Sequence, residues 1–144
     1  MNKHQYTPAG QGKDFDYSQD HLFVKLSSHD TNGELAFVED RLKPGFHLLR
    51  HHHKKTMEVF YILEGEVEMI FDDETIMATA GDTVTVPVNV WHEVFCKDGA
   101  KLLTIFKNGQ FDLYIEALST MRQEDFNDQE LMKNLAEQYD IYNE

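Results

Sequence analysis

Between Gly45 and Gly65 the chain reads Gly-Phe-His-Leu-Leu-Arg-His-His-His-Lys-Lys-Thr-Met-Glu-Val-Phe-Tyr-Ile-Leu-Glu-Gly, and its alternation leaves few folds open. Successive side chains of a β-strand point to opposite faces. A strand over residues 46–53 therefore groups His47, Leu49, His51 and His53 on one face, and Phe46, Leu48, Arg50 and His52 on the other. After a turn at Lys54–Met57, a second strand places Glu58, Phe60 and Ile62 together. Two imidazoles and a carboxylate then converge beside apolar neighbours, a donor set that suits a first-row transition metal.

A third imidazole follows in Gly81-Asp-Thr-Val-Thr-Val-Pro-Val-Asn-Val-Trp-His92, which reads as turn, strand, turn and the start of another strand. The first stretch runs Gly45, five residues, His51, one, His53, four, Glu58, six, Gly65. The second runs Gly81, five residues, Pro87, one, Asn89, two, His92, three, Cys96. These paired spacings resemble the two motifs of the cupin superfamily. The first matches fully; the second departs at Asn89, where the pattern has Gly, and at Cys96, where it has Asn. Neither departure touches a ligand, and Asn tolerates the left-handed turn conformation that Gly usually supplies. The resemblance implies a small β-barrel with His51, His53, Glu58 and His92 as metal ligands.

Within that superfamily the chain resembles the single-domain quercetin 2,3-dioxygenase-like members, which have one barrel, an intact three-histidine, one-glutamate site and a helix after the last strand. Here that helix opens in Asn108-Gly-Gln-Phe-Asp-Leu-Tyr-Ile-Glu-Ala-Leu118. The resemblance implies a cupin-type dioxygenase that cleaves a small aromatic or enolic substrate, with one divalent metal ion per chain and Glu58 as catalytic base. The residues leave iron, nickel, manganese, cobalt, copper and zinc open, because affinity order rather than specificity governs such sites. They also leave open a non-catalytic metal- or small-ligand-binding protein and a metal-dependent isomerase or epimerase, since one fold hosts many functions. A homodimer is expected from the family likeness and from strand edges that need cover.

The flanking sequence fits an all-β protein, a single jelly-roll-like barrel with a C-terminal two-helix extension. Residues 1–20 are polar and read as an arm or loose first strand, 21–107 as the barrel, and 108–144 as a helical extension of the same domain. Strands are expected at 21–27 and 34–42, then at short intervals from 58 to 107, with a turn at Gly65 dividing 58–64 from 66–71. Past Asn108 the period becomes helical: Phe111, Tyr114, Ile115 and Leu118 recur at one face. A second helix is expected from Asn127, with Leu131, Met132, Leu135, Ala136 and Tyr139 as its apolar stripe. These acidic helices could cover an open barrel end, pack on the outer sheet or join a dimer.

The formal charge of −13 argues against nucleic acid or an anionic membrane as partner, because both select basic surfaces. No apolar run approaches a membrane span and the first residues lack a signal-peptide core, so a cytoplasmic protein with a small-molecule substrate is expected. The lone Cys96 excludes an internal disulfide framework and reads as a buried, inert thiol. His47 reads as a hydrogen-bonded structural residue, with a pocket role as the alternative. His52 reads as outward and solvated, Trp91 as packing, and Arg50, Lys54 and Lys55 as a solvated strand edge. Val38, Leu49, Phe60, Ile62, Val67, Met69, Val84, Val86 and Phe106 are the expected inward residues, lining a cavity or filling the barrel.

Overall fold

The longest strand, β5 (Met57–Phe71), belongs to both halves of the molecule. In the computed structural model, which describes all residues from Met1 to Glu144, its first half pairs with β9 (Ala100–Lys107) and β7 (Thr83–Val86). Its second half pairs with β8 (His92–Cys96) and β6 (Thr75–Thr79). Outward from β9 the first sheet continues through β3 (Leu35–Leu42), β2 (Asp20–Leu26) and β1 (Lys13–Asp16). Outward from β8 the second continues through β4 (Phe46–His52) and β10 (Tyr142–Asn143). Every pairing is antiparallel, and the two sheets fold into a jelly-roll β-barrel. No helix is long and apolar enough to cross a membrane.

No turn divides β5 at Gly65, contrary to the expectation from its glycine. The strand runs through, with its register against β9 shifting between Ile62 and Glu64. Gly65 has φ +85°, and a Cβ there would stand 2.7 Å from the Gly99 carbonyl oxygen, so the residue allows a bent strand to pass close to its neighbour. The shift also changes which parity faces inward: Glu58, Phe60 and Ile62 before it, Val67 and Met69 after it, are all buried. Between the sheets the apolar ones, Phe60, Ile62, Val67 and Met69, pack with Leu42, Val84, Val94 and Leu102. Full burial of a side chain such as Ile62 or Met69 stabilises the fold by ~1.5–3 kcal/mol.

A second, smaller apolar cluster closes one end. Leu22, Ala36, Val38 and Phe106 meet Ile115 of helix α1 (Phe111–Ser119), with Phe111 and Tyr114 packed beside them. This helix therefore packs on the first sheet and lines a cavity with Phe111, Tyr114, Ile115 and Leu118. A short 3-10 turn at Gln123–Asn127 leads to α2 (Gln129–Gln138). That helix starts later than its sequence suggested, because Asp128 rather than Asn127 is the cap, its side chain accepting from the Leu131 N–H at 3.0 Å. Of the expected stripe Ala136 is buried, whereas Leu131 stands exposed. At the ends of the chain, residues 13–16 form β1, in keeping with the loose first strand that was the alternative to an arm, whereas the return of residues 142–143 from α2 to pair with β4 was not expected.

Candidate metal centre

Strand β4 does not keep a simple alternation. Leu48 lies opposite Val94, yet His51 lies opposite His92, so three steps on β4 match two on β8. One extra residue reverses the parity. Phe46 and Leu48 therefore pack toward the core with His51, while Leu49, expected inside, is 64% exposed. His47, also expected on the ligand face, pairs instead with Glu93 of the neighbouring strand and sets its ring edge-on to Phe95. The bulge precedes His51, so the ligand pair itself keeps its phase.

His51, His53, Glu58 and His92 come together, all buried, with one donor atom of each within 4.8 Å of the others. The ring centroids of His51 stand 5.0 Å from His53 and 4.2 Å from His92. Each imidazole gives its Nδ1 hydrogen to a backbone carbonyl: His51 to Leu49 at 2.8 Å, His92 to Val90 at 2.9 Å, and His53 to Asp140 at 2.7 Å. Nε2 is thereby left to face the centre. Nε2 of His92 makes no hydrogen bond, and Nε2 of His53 meets only the Glu58 carboxylate. Donors around one ion at ~2.1 Å lie at most about 4.2 Å apart, so a closure of a few tenths of an ångström would satisfy one. Converging, buried, unpartnered imidazole nitrogens beside a carboxylate fit a divalent metal.

The charges agree with that fit. Burial pushes Glu58 up, but the adjacent His53, His92 and His51 outweigh it and hold the carboxyl at about 2. Burial, reinforced by His92, lowers His51 to about 4, so it is neutral at pH 7. His92 is lowered too, mainly by burial. For His53 burial pulls down, yet Glu58 and the Asp140 carbonyl together raise it. His53 and Glu58 thus favour each other's charged form.

The second glycine-like turn behaves as its sequence implied: Asn89 has φ +64°, and its N–H donates to the His53 carbonyl at 2.6 Å. Cys96 is wholly buried with its Sγ against the Glu66 carbonyl at 3.5 Å, and burial pushes the thiol up, away from reactivity. His52 is half-buried rather than freely solvated, its ring packed edge-on to Trp91 and stacked with Tyr142 of β10. Nor is the basic spot a bare edge. Arg50 stacks over Trp91 at 4.6 Å and binds Asp72 and Glu144, and Lys54 sits over Tyr142 at 4.1 Å.

Two groups of residues at the site escaped the sequence reading. Asp140, at φ +65°, accepts from the backbone N–H groups of Lys54, Lys55 and Thr56 at 2.9, 2.8 and 2.9 Å, while its own carbonyl holds His53. Asp20 and Asp40 line the same cavity of about 230 Å³ as His51 and Glu58. Strand parity with Val38 could have placed Asp40 inward; nothing local pointed to Asp20 or Asp140.

Fold and cluster together define a small jelly-roll barrel whose three-histidine, one-glutamate centre could hold one metal ion. The family described as Cupin domain matches residues 38–106, a stretch that holds all four clustered side chains, and this match supports a cupin superfamily member. It is 28% identical over 96 residues to quercetin 2,3-dioxygenase of Bacillus subtilis (strain 168), a match covering 66% of this chain and 28% of that protein's length. An RmlC-like cupin from Shewanella frigidimarina NCIMB 400 superposes with TM-score 0.64 at 26% identity, over 78% of this chain and 99% of that one. KdgF from Halomonas sp. superposes with TM-score 0.66 at 14% identity, over 76% and 99%.

Proposed function

We propose that the protein is a metal-dependent dioxygenase that cleaves a small aromatic or enolic substrate. The observation that carries this reading is the buried cluster of His51, His53, Glu58 and His92, whose His51 and Glu58 reach the wall of a cavity otherwise lined mainly by apolar side chains such as Phe46, Leu48 and Phe60. The match to the Bacillus quercetin 2,3-dioxygenase supports it. At about 230 Å³ the cavity is smaller than typical drug-sized pockets, which favours a substrate of one ring over a flavonoid of three.

One ion of the iron, nickel, manganese, cobalt, copper or zinc type, held by the four side chains, would supply Lewis acidity toward a substrate oxygen and, where redox-active, electrons for dioxygen. The chain does the rest. Glu58, ionised at neutral pH, takes the proton from the enolic or phenolic hydroxyl onto a carboxylate oxygen. The apolar walls exclude water and keep the activated substrate from other reactions. In this reading the protein works as a cytoplasmic homodimer, and light scattering should return a mass near twice 16.8 kDa.

Glu58→Gln tests the role of the base. It retains size and an oxygen donor but removes basicity, so oxygen consumption should fall by ~10²–10⁴-fold while three imidazoles retain most of the metal. The assay uses catechols, hydroxyphenols and enolic diketones with protein loaded with each metal in turn. If no metal and no substrate supports oxygen uptake by the wild type, the dioxygenase reading is lost. A second reading, a metal-dependent isomerase or epimerase, draws support from the polar Asp20, Asp40 and Thr104 in the same cavity. Substrate turnover that persists without oxygen would select it.

A further inference from the structure

We propose that Asp20 and Asp40 form a substrate-recognition pair, taking a hydroxyl group of the substrate whose reacting oxygen lies at the His51–His53–Glu58–His92 centre. This deepens the metal-site reading and rests on it. Both aspartates come from β2 and β3, strands that carry no metal ligand, and both line the cavity that reaches His51 and Glu58. Asp20 is 2% and Asp40 7% exposed, a cost that a barrel interior does not accept without a use or a partner. Asp40 has one: the Thr104 hydroxyl donates to its Oδ2 at 2.8 Å. Asp20 Oδ1 accepts from no N–H or hydroxyl in this way, and beyond a proton shared with Asp40 and the neighbouring Tyr17 hydroxyl the Asp20 carboxyl, on the same cavity wall, has no donor.

The two buried carboxyls share one cavity wall and act on each other directly, and like charges held close in a dry interior favour one proton between them. Burial pushes Asp40 well above the ordinary carboxylate range, and neighbouring Asp20 pushes it further; burial raises Asp20 as well. The charged and titratable groups around them are Tyr17 before β2, His21 on β2, Lys43 after β3 and Glu58 on β5. Tyr17 keeps its proton, because burial and the two carboxyls all raise it. A pair with one shared proton carries a single negative charge. It therefore accepts from a neutral hydroxyl and disfavours a carboxylate in the same place, all the more with ionised Glu58 in the same cavity. The fitting ligand is a small, neutral ring with one hydroxyl for the metal centre and a second for Asp20.

The test uses the zinc-loaded full chain, so that binding is read without oxygen chemistry and stays distinct from failure of the dioxygenase reading. Calorimetric titration compares phenol with resorcinol and hydroquinone. The second hydroxyl should tighten binding about tenfold in one of the two isomers, as a hydrogen bond to a charged group does. Asp20→Asn and Asp40→Asn should remove that gain while leaving phenol affinity and zinc content unchanged. The proposal is overturned if neither diol binds better than phenol, if none of the three binds, if the gain survives in both variants, or if phenol weakens equally. Should the variants not fold, infrared spectra of the wild type decide. A protonated-carboxyl stretch at neutral pH that shifts with the tighter diol supports the pair, and its absence or immobility refutes it.

Discussion

Two kinds of support hold the three imidazoles. His51 and His92 each donate to a carbonyl two residues back in their own strand region, Leu49 and Val90. His53 donates to Asp140, a residue 87 positions away that reaches the site only because α2 turns the chain back and β10 docks on β4. The three imidazoles offer equivalent Nε2 donors but are unequal in what orients them. A metal site assembled this way is partly written into its strands and partly dependent on the far end of the chain.

The largest effect should ignore the distinction. His53→Ala and His92→Ala each delete a donor, and bound metal, measured by elemental analysis after dialysis, should drop well below one per chain in both. If one variant retains full metal, the four residues do not act as one site.

Acid should separate the histidines next. His51 titrates at about 4 in the folded metal-free protein against an ordinary 6.5, so across that window the unfolded chain binds more protons and stability falls as pH falls. The loss is roughly 3 kcal/mol over the window, readable by denaturant titration. His53 has the opposite sign. Its raised value favours the folded state below the ordinary pKa, and that contribution disappears as pH rises through the folded one. Ring resonances followed by NMR in the metal-free protein should show His51 neutral where His53 is charged. Identical titrations would erase the contrast.

A chain ending at Tyr139 loses the His53 acceptor and the β10 edge together. Removal of such an outer hydrogen-bond partner typically weakens metal binding 10–100-fold. In this variant the His53 ring signals should move while those of His51 and His92 stay in place. Unchanged affinity would show that the distant carbonyl is dispensable.

The smallest change sharpens the point. Asp140→Ala retains the carbonyl but frees three backbone N–H groups and the Thr56 hydroxyl, with a loss of about 1–3 kcal/mol in stability. Asp140→Asn retains an acceptor and tolerates the positive φ, so it should recover much of that stability. Metal affinity of the alanine variant should fall only a few-fold, because the His53 acceptor is main chain.

The Gly45–Gly65 and Gly81–Cys96 spacings made the strands and turns readable, because strand period and turn chemistry are local properties of the chain, and their resemblance to the cupin motifs implied the barrel and the four side chains that cluster in it. Asn89 in its left-handed turn is a case in point. The bulge that exposes Leu49 and the continuous course of β5 through Gly65 were not readable. Each depends on how a neighbouring strand is matched, residue by residue, across the sheet. The same holds for Asp140 beneath His53 and for Asp20 against Asp40: their partners lie on other strands or at the far end of the chain, and only closure of the barrel brings them within a hydrogen bond. Sequence determined which four side chains meet in the buried cluster; tertiary structure decided what holds them there and what else shares the cavity, because those contacts are made between segments that carry no shared pattern.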